Sequence, residues 1–133
     1  MSVALLIVTH GEVGQALLDS AYAMLGGTPL QVGVIAVSNR CDPDEVVGNV
    51  EAALLQLNQG DGVLLLTDVY GATPSNIAMK FQDDEARRLV VSGINLPMLI
   101  RVLNYPDLSI EQLLEKALSG GRDGIFHCRK EAP

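Results

Sequence analysis

The sequence predicts an α/β domain: an open, doubly wound, mostly parallel sheet with helices on both faces. Three observations predict it. Short apolar runs alternate along the chain with segments whose apolar residues recur at helical spacing. The runs carry almost no charge, as strands covered on both faces do. Cap and turn residues punctuate each change from one kind of segment to the other. At 133 residues the chain is the size of one ordinary domain, and residues 1–133 are read as one unit.

The elements follow in order. Val3 to Val8 is an unbroken apolar strand, and Thr9-His10-Gly11 stands at its end. From Glu12 to Leu25 the apolar residues Val13, Ala16, Leu17, Ala21, Met24 and Leu25 share a helix face, and Gly26-Gly27 ends it. Val32 to Val37 is a second strand. Asp42-Pro43-Asp44-Glu45 opens a helix, with Asp42 as cap, Pro43 in the first turn and Glu45 completing a capping-box-like pair. That helix runs to about Leu57, and Asn58 to Gly62 is a turn. Val63 to Thr67 is a third strand and Asp68 to Ala72 a loop. Thr73, as cap, and Pro74 then start a helix that reaches about Phe81. Leu89 to Val91 is a fourth strand, and Pro97 opens a short helix to about Leu103. Ser109 and Gln112 form a capping box for a helix expected to stop at Gly120-Gly121. Gly124 to Arg129 reads as a last strand, either antiparallel at a sheet edge or paired with another subunit.

Composition narrows the function. The chain is 48% hydrophobic but only 4% aromatic, so small and branched aliphatics fill its core. A formal charge of -7 argues against nucleic acid as a partner and suits one with a basic face. No apolar run approaches the ~20 residues that span a bilayer. Met1-Ser2 leads straight into the first strand with no basic, cleavable leader, so a cytoplasmic protein without membrane insertion is expected. Cys41 and Cys128 form no CxxC and are expected as reduced thiols. His127-Cys128 resembles a metal pair, but neighbours on a strand point to opposite faces. No metal site is expected.

The chemistry gathers at two strand ends. Ligands of open parallel sheets collect outside the carboxyl ends of the strands. His10 follows the first strand and Asp68 the third. With strand order 2-1-3-4 those strands are neighbours, and the two side chains face each other. A carboxylate that holds one ring nitrogen fixes the tautomer and leaves the other free to attack. Taken singly, each has a plainer role: His10 as a loop histidine bonded to a carbonyl, Asp68 as a cap of its own loop. The surroundings suit an anion. Gly11 allows close backbone approach, one helix start follows it, and a second lies at Thr73-Pro74-Ser75-Asn76, with hydroxyls on Thr73 and Ser75. Neither motif contains Lys or Arg, and there is no GxxxxGK[ST] or GxGxxG, so a nucleotide clamp is not expected.

In these segments the chain resembles the IIA domain of mannose-type sugar phosphotransferase systems. The matching pieces are Val8-Thr9-His10-Gly11, Thr67-Asp68-Val69-Tyr70-Gly71-Ala72-Thr73-Pro74-Ser75-Asn76 and Gly93-Ile94-Asn95-Leu96-Pro97-Met98-Leu99. The resemblance extends to Gly124. It implies that His10 is the phosphorylated histidine and Asp68 its orienting carboxylate, with Gly11, Thr73 and Ser75 near the phosphate and no cofactor. Ala72 stands where the family usually has glycine, and Thr73 keeps the hydroxyl of the usual serine. The implied partners are phospho-HPr as donor and a separate IIB component as acceptor, meeting Val69, Tyr70 and Leu96 around the histidine. A homodimer that exchanges or shares its last strand is also implied.

The rival readings differ at named residues. The phosphotransfer subunit of dihydroxyacetone kinase shares the histidine but typically lacks a segment like Tyr70 to Pro74. A histidine-based metal chelatase needs a second ligand, and His127 lies in the wrong element. Histidine phosphatases need Arg before His-Gly, where this chain has Thr9. A regulatory IIA protein of an incomplete system shares every motif and is distinguished by neighbouring genes.

Overall fold

The computed structural model describes residues 2–57 and 60–130. Four strands, β1 (Ala4–His10), β2 (Val32–Val37), β3 (Val63–Thr67) and β4 (Arg88–Val91), form one sheet of order β2-β1-β3-β4. All pairs are parallel, with Leu5 opposite Val32 and Leu64, and Leu65 opposite Val90. Five helices cover it: α1 (Val13–Leu25), α2 (Pro43–Leu57), α3 (Thr73–Met79), α4 (Leu96–Leu103) and α5 (Ile110–Asp123).

The alternation of side chains along β1 and β3 divides the core in two. Leu5, Ile7, Leu64 and Leu66 point to one face, under α1, α4 and α5, where they meet Leu18, Leu99, Val102 and Leu113. Ala4, Leu6, Val8, Val63 and Leu65 point to the other, under α2 and α3, where they meet Val46, Val50, Leu54, Ile77 and Ala78. Both faces of the central strands are closed, which is why these runs contain no polar interruption before the strand ends.

Three segments differ from expectation. Gly120-Gly121 does not end α5, which continues to Asp123 with Gly124 as its cap. Both glycines are buried where α5 crosses α4. A Cβ on Gly120 would lie 2.9 Å from the Arg101 Cβ, and one on Gly121 2.9 Å from Met98 Cε. They serve close helix packing and not termination. Thr73 is the first residue of α3 and not its cap; Ala72 holds the cap position without a side-chain bond.

Residues 125–130 form no strand in this chain, so the expected antiparallel edge is not found among the described residues and the sheet is all parallel. A strand exists only through its ladder bonds. Here the Ile125 N–H turns back to the Arg122 carbonyl at 3.2 Å, extending the helix end, and Ile125 and Phe126 remain 75% and 71% exposed.

Candidate functional site

β1 and β3 lie side by side, and their carboxyl ends bring His10 and Asp68 together. His10 Nδ1 lies 2.8 Å from Asp68 Oδ2. The same oxygen accepts the His10 backbone N–H at 3.0 Å, and Oδ1 accepts the Val69 N–H at 3.0 Å. Asp68 thus fills both roles read from the sequence: it closes its own loop and holds the histidine. An ionised carboxylate only accepts, which assigns a proton to Nδ1, and in the neutral tautomer so defined Nε2 holds the lone pair. The imidazole is 39% exposed while the carboxylate is 12% exposed. The ring is therefore the more accessible member of the pair and the carboxylate that anchors it the more covered.

Burial works to raise the pKa of Asp68. The hydrogen bonds from the His10 backbone, the His10 ring and the Val69 backbone outweigh it, aided by attraction to the ring, and the carboxyl lies below its usual value. The sign for stability follows from that lowering. The ionised form favours the fold above the unfolded pKa of about 3.9, and this contribution is lost as pH falls through the lower folded value. The stability gap between wild type and Asp68→Asn is therefore expected to narrow below about pH 4, as read by denaturant unfolding at stepped pH.

Thr9 sets the other side of the strand end. It is fully buried, and its Oγ1 accepts the Gly14 N–H at 2.7 Å, pinning the first turn of α1 to β1. Gly14 permits this approach, since a Cβ there would lie 2.6 Å from Ile7 Cγ2 and 2.8 Å from Thr9 Oγ1. Gly14→Ala is expected to destabilise the fold by about 1–3 kcal/mol, the usual cost of overpacking, and thermal unfolding checks it. The Gly11 N–H is bonded to the Val37 carbonyl at 3.0 Å, and Gly11 turns the chain with φ +43°. Gly11 and the start of α1 therefore offer an anion fewer donors than the sequence suggested.

The start of α3 lies closer to the chemistry. His10, Ser38, Asn39, Cys41 and Thr73 are among the residues around a hollow of about 250 Å³. Thr73 is brought to His10 here, while the Ser75 side chain is buried at 1% exposure. Of the first turn of α3, Thr73 therefore faces the hollow, while Pro74 has no N–H and Ser75 is buried. The loop before α3 is a tight turn, in which the Ala72 N–H reaches the Val69 carbonyl at 3.2 Å and Gly71 takes φ +86°. Asn76 Nδ2 holds the Gly71 carbonyl at 3.2 Å. Ala72 has φ −84° and ψ 169°, which alanine adopts freely, so replacing the family's usual glycine costs the turn nothing. The turn holds up Val69 and Tyr70, 56% and 78% exposed, whereas Leu96 is half-buried against the core.

Sequence reasoning missed Asn95. Its Oδ1 accepts the Met98 N–H at 2.9 Å as the cap of α4, and its Nδ2 donates to the Gly121 carbonyl at 3.1 Å. An Asn two residues before a Pro in the first turn was the available clue. Among the described residues no group of three or more His, Cys, Asp or Glu side chains is arranged to hold a metal ion, and Cys41 and Cys128 are free thiols. No helix among them is long and apolar enough to cross a membrane.

A parallel sheet that carries a carboxylate-held, half-exposed histidine at its carboxyl edge is a platform for nucleophilic histidine chemistry. Known proteins of similar sequence place it within one family. A family model described as "PTS system fructose IIA component" matches residues 4–118. The chain is 32% identical over 127 residues to the "PTS system mannose-specific EIIAB component" of Escherichia coli K12, covering 94% of this chain and 39% of that one. It is 28% identical over 120 residues to the "PTS system fructose-specific EIIA component" of Bacillus subtilis 168, covering 88% of this chain and 82% of that one. Among solved structures, the "Mannose/sorbose specific IIA subunit of phosphotransferase system from Enterococcus faecalis" has a TM-score of 0.88 at 21% identity, covering 100% and 99% of the two chains, a likeness of fold. The chain belongs to the mannose- and fructose-type IIA family of the sugar phosphotransferase system. It spans about two fifths of the length of the Escherichia coli relatives it matches.

Proposed function

We propose that this chain is a phosphoryl carrier: His10 accepts a phosphoryl group from phospho-HPr and passes it to a histidine of a IIB partner. One observation supports this most, the 2.8 Å bond from His10 Nδ1 to Asp68 on a half-exposed ring. With Nδ1 occupied, the lone pair of Nε2 attacks phosphorus. A P–N bond forms at Nε2 as the donor's P–N bond breaks, and the donor ring leaves with its nitrogen lone pair restored. The His10 ring gains positive charge in that step, and the ionised Asp68 stabilises it. The reverse geometry delivers the group to the acceptor.

The start of α3 fits the transferred group. Thr73 borders the hollow beside His10 and brings its hydroxyl and a helix-start N–H to it, whereas Ser75 is buried behind it. No lysine or arginine is among the residues bordering that hollow. Such a cradle holds the group without trapping it, which suits a relay. Val69 and Tyr70 stand ready for a protein partner, and Leu96 supports the rim from partial burial. The chain's charge of -7 favours carriers with a basic face. Transfer from phospho-HPr is expected to slow as salt rises from low to physiological strength and beyond. Stopped-flow transfer rates that stay flat with ionic strength count against that electrostatic part.

A cytoplasmic homodimer completes the proposal. Ile125 and Phe126 are large, apolar and exposed on a segment without strand partners in its own chain. Pairing that segment with a second copy covers both. Sedimentation near twice 14.2 kDa supports the dimer, and a stable monomer at micromolar concentration refutes it.

The carrier role is tested by incubation with phosphoenolpyruvate, enzyme I and HPr, then with a IIB domain. The expected product is one acid-labile, base-stable phosphate per chain that disappears when the IIB domain is added. A chain that stays unlabelled while HPr is phosphorylated overturns the proposal.

A further inference from the structure

We propose that Asn95 is a positioning residue for His10, acting through a backbone bracket, Gly93-Ile94-Asn95, that fixes Asp68 from behind. This rests on the carrier role of His10. The bracket begins where β4 ends. The Gly93 N–H donates to the Asp68 carbonyl at 2.8 Å, and the Ile94 N–H donates to the Thr67 carbonyl at 2.9 Å. Two successive N–H groups thus clamp the two carbonyls on either side of the Asp68 Cα. Gly93 takes φ +85° there, a value that side chains disfavour.

Asp68 is held from two directions. Its carboxylate is fixed by the His10 and Val69 N–H groups, and its backbone by the bracket. If the backbone shifts, the carboxylate must follow or release the ring.

Asn95 anchors the bracket to the body of the protein with both ends of its amide. Oδ1 caps α4 through the Met98 N–H, and Nδ2 reaches across to the Gly121 carbonyl of α5. That reach depends on the close crossing of the two helices. A Cβ on Gly121 would lie 2.9 Å from Met98 Cε and 3.7 Å from Asn95 Nδ2. The path from α5 to the reacting ring runs from the Gly121 carbonyl to the Asn95 amide, along the Asn95-Ile94-Gly93 backbone, and through the Ile94 and Gly93 N–H groups to Asp68 and His10. Asn95 touches neither the ring nor the phosphoryl group, so its part is placement.

A simple helix cap predicts something different. Losing it lowers stability by about 1 kcal/mol and leaves the His10 ring unchanged. Asn95→Asp separates the two, because it keeps the capping oxygen and puts a second oxygen where Nδ2 faced the Gly121 carbonyl. Asn95→Ser keeps a capping hydroxyl and loses only the reach, so the test stays readable if the added charge disturbs α4. The readouts are the ¹⁵N imidazole spectrum of His10 across pH and the rate of phosphoryl uptake from phospho-HPr. Both variants are expected to shift His10 away from the single Nδ1–H tautomer and to slow uptake by about 10–100-fold, the scale of a small misplacement. Variants that melt earlier but keep the wild-type imidazole spectrum and uptake rate overturn the proposal. If wild type takes up no phosphate, the carrier role fails instead, and the imidazole spectrum still decides whether Asn95 positions the ring.

Discussion

His10→Ala is expected to abolish phosphoryl uptake from phospho-HPr while the fold persists. The imidazole is partly exposed at the end of β1, so its loss leaves no large cavity in the core. It does leave Asp68 without its ring partner, but the carboxylate still accepts the N–H groups of residue 10 and Val69. Circular dichroism and a thermal melt should resemble wild type, and the label should fall to background. His127→Ala is the matching control. His127 lies in the exposed, irregular segment after α5, and its removal should leave labelling intact. Full labelling of the His10 variant would remove the basis of the proposed function.

Asp68→Asn should slow transfer by about 10²–10⁴-fold, the contribution of a positioned acid–base group. The reason lies in the bonding. Both carboxylate oxygens of Asp68 accept hydrogen bonds, Oδ2 from the His10 backbone and ring and Oδ1 from Val69. An amide has one oxygen and one NH2, so whichever way it turns, a donor faces a donor. If the NH2 faces His10, the tautomer inverts and Nε2 loses its lone pair to a proton. If it faces Val69, the ring keeps its tautomer but loses the charge that stabilises its cationic form. Either way one backbone N–H loses its acceptor, the partly buried one of His10 or the exposed one of Val69, a cost of about 0.5–1.5 kcal/mol. A variant that transfers at the wild-type rate would show that the carboxylate is only a loop cap.

Much of this arrangement was legible in the sequence. Short uncharged runs set between capped helical segments read as strands buried on both faces, and that indicates which segments form the sheet centre. Adjacency of β1 and β3 then follows from the doubly wound order, and with it the meeting of His10 and Asp68. Features that depend on packing between distant segments were not legible. Gly120-Gly121 looks like a stop, because glycine ends helices unless a neighbour needs the space, and only the α4 crossing supplies that neighbour. Thr9 reads as part of a strand end, yet its hydroxyl caps a helix five residues on. Ser75 and Thr73 look equivalent in sequence, but the turn of α3 buries one and leaves the other at the hollow. Residues 125–129 have strand-like composition and no strand partner among the described residues, since composition does not supply a free edge in register. Asn58 and Gln59, expected within a turn, lie outside the described residues.

The most direct test of the central claim asks which nitrogen carries the phosphate. The protein, labelled with ¹⁵N-histidine and phosphorylated through HPr, is examined by long-range ¹H–¹⁵N correlation of its imidazoles. The geometry predicts a single phosphohistidine at His10, bonded through Nε2, with a proton retained on Nδ1 against Asp68. Phosphate on Nδ1, or on any residue other than His10, would contradict it.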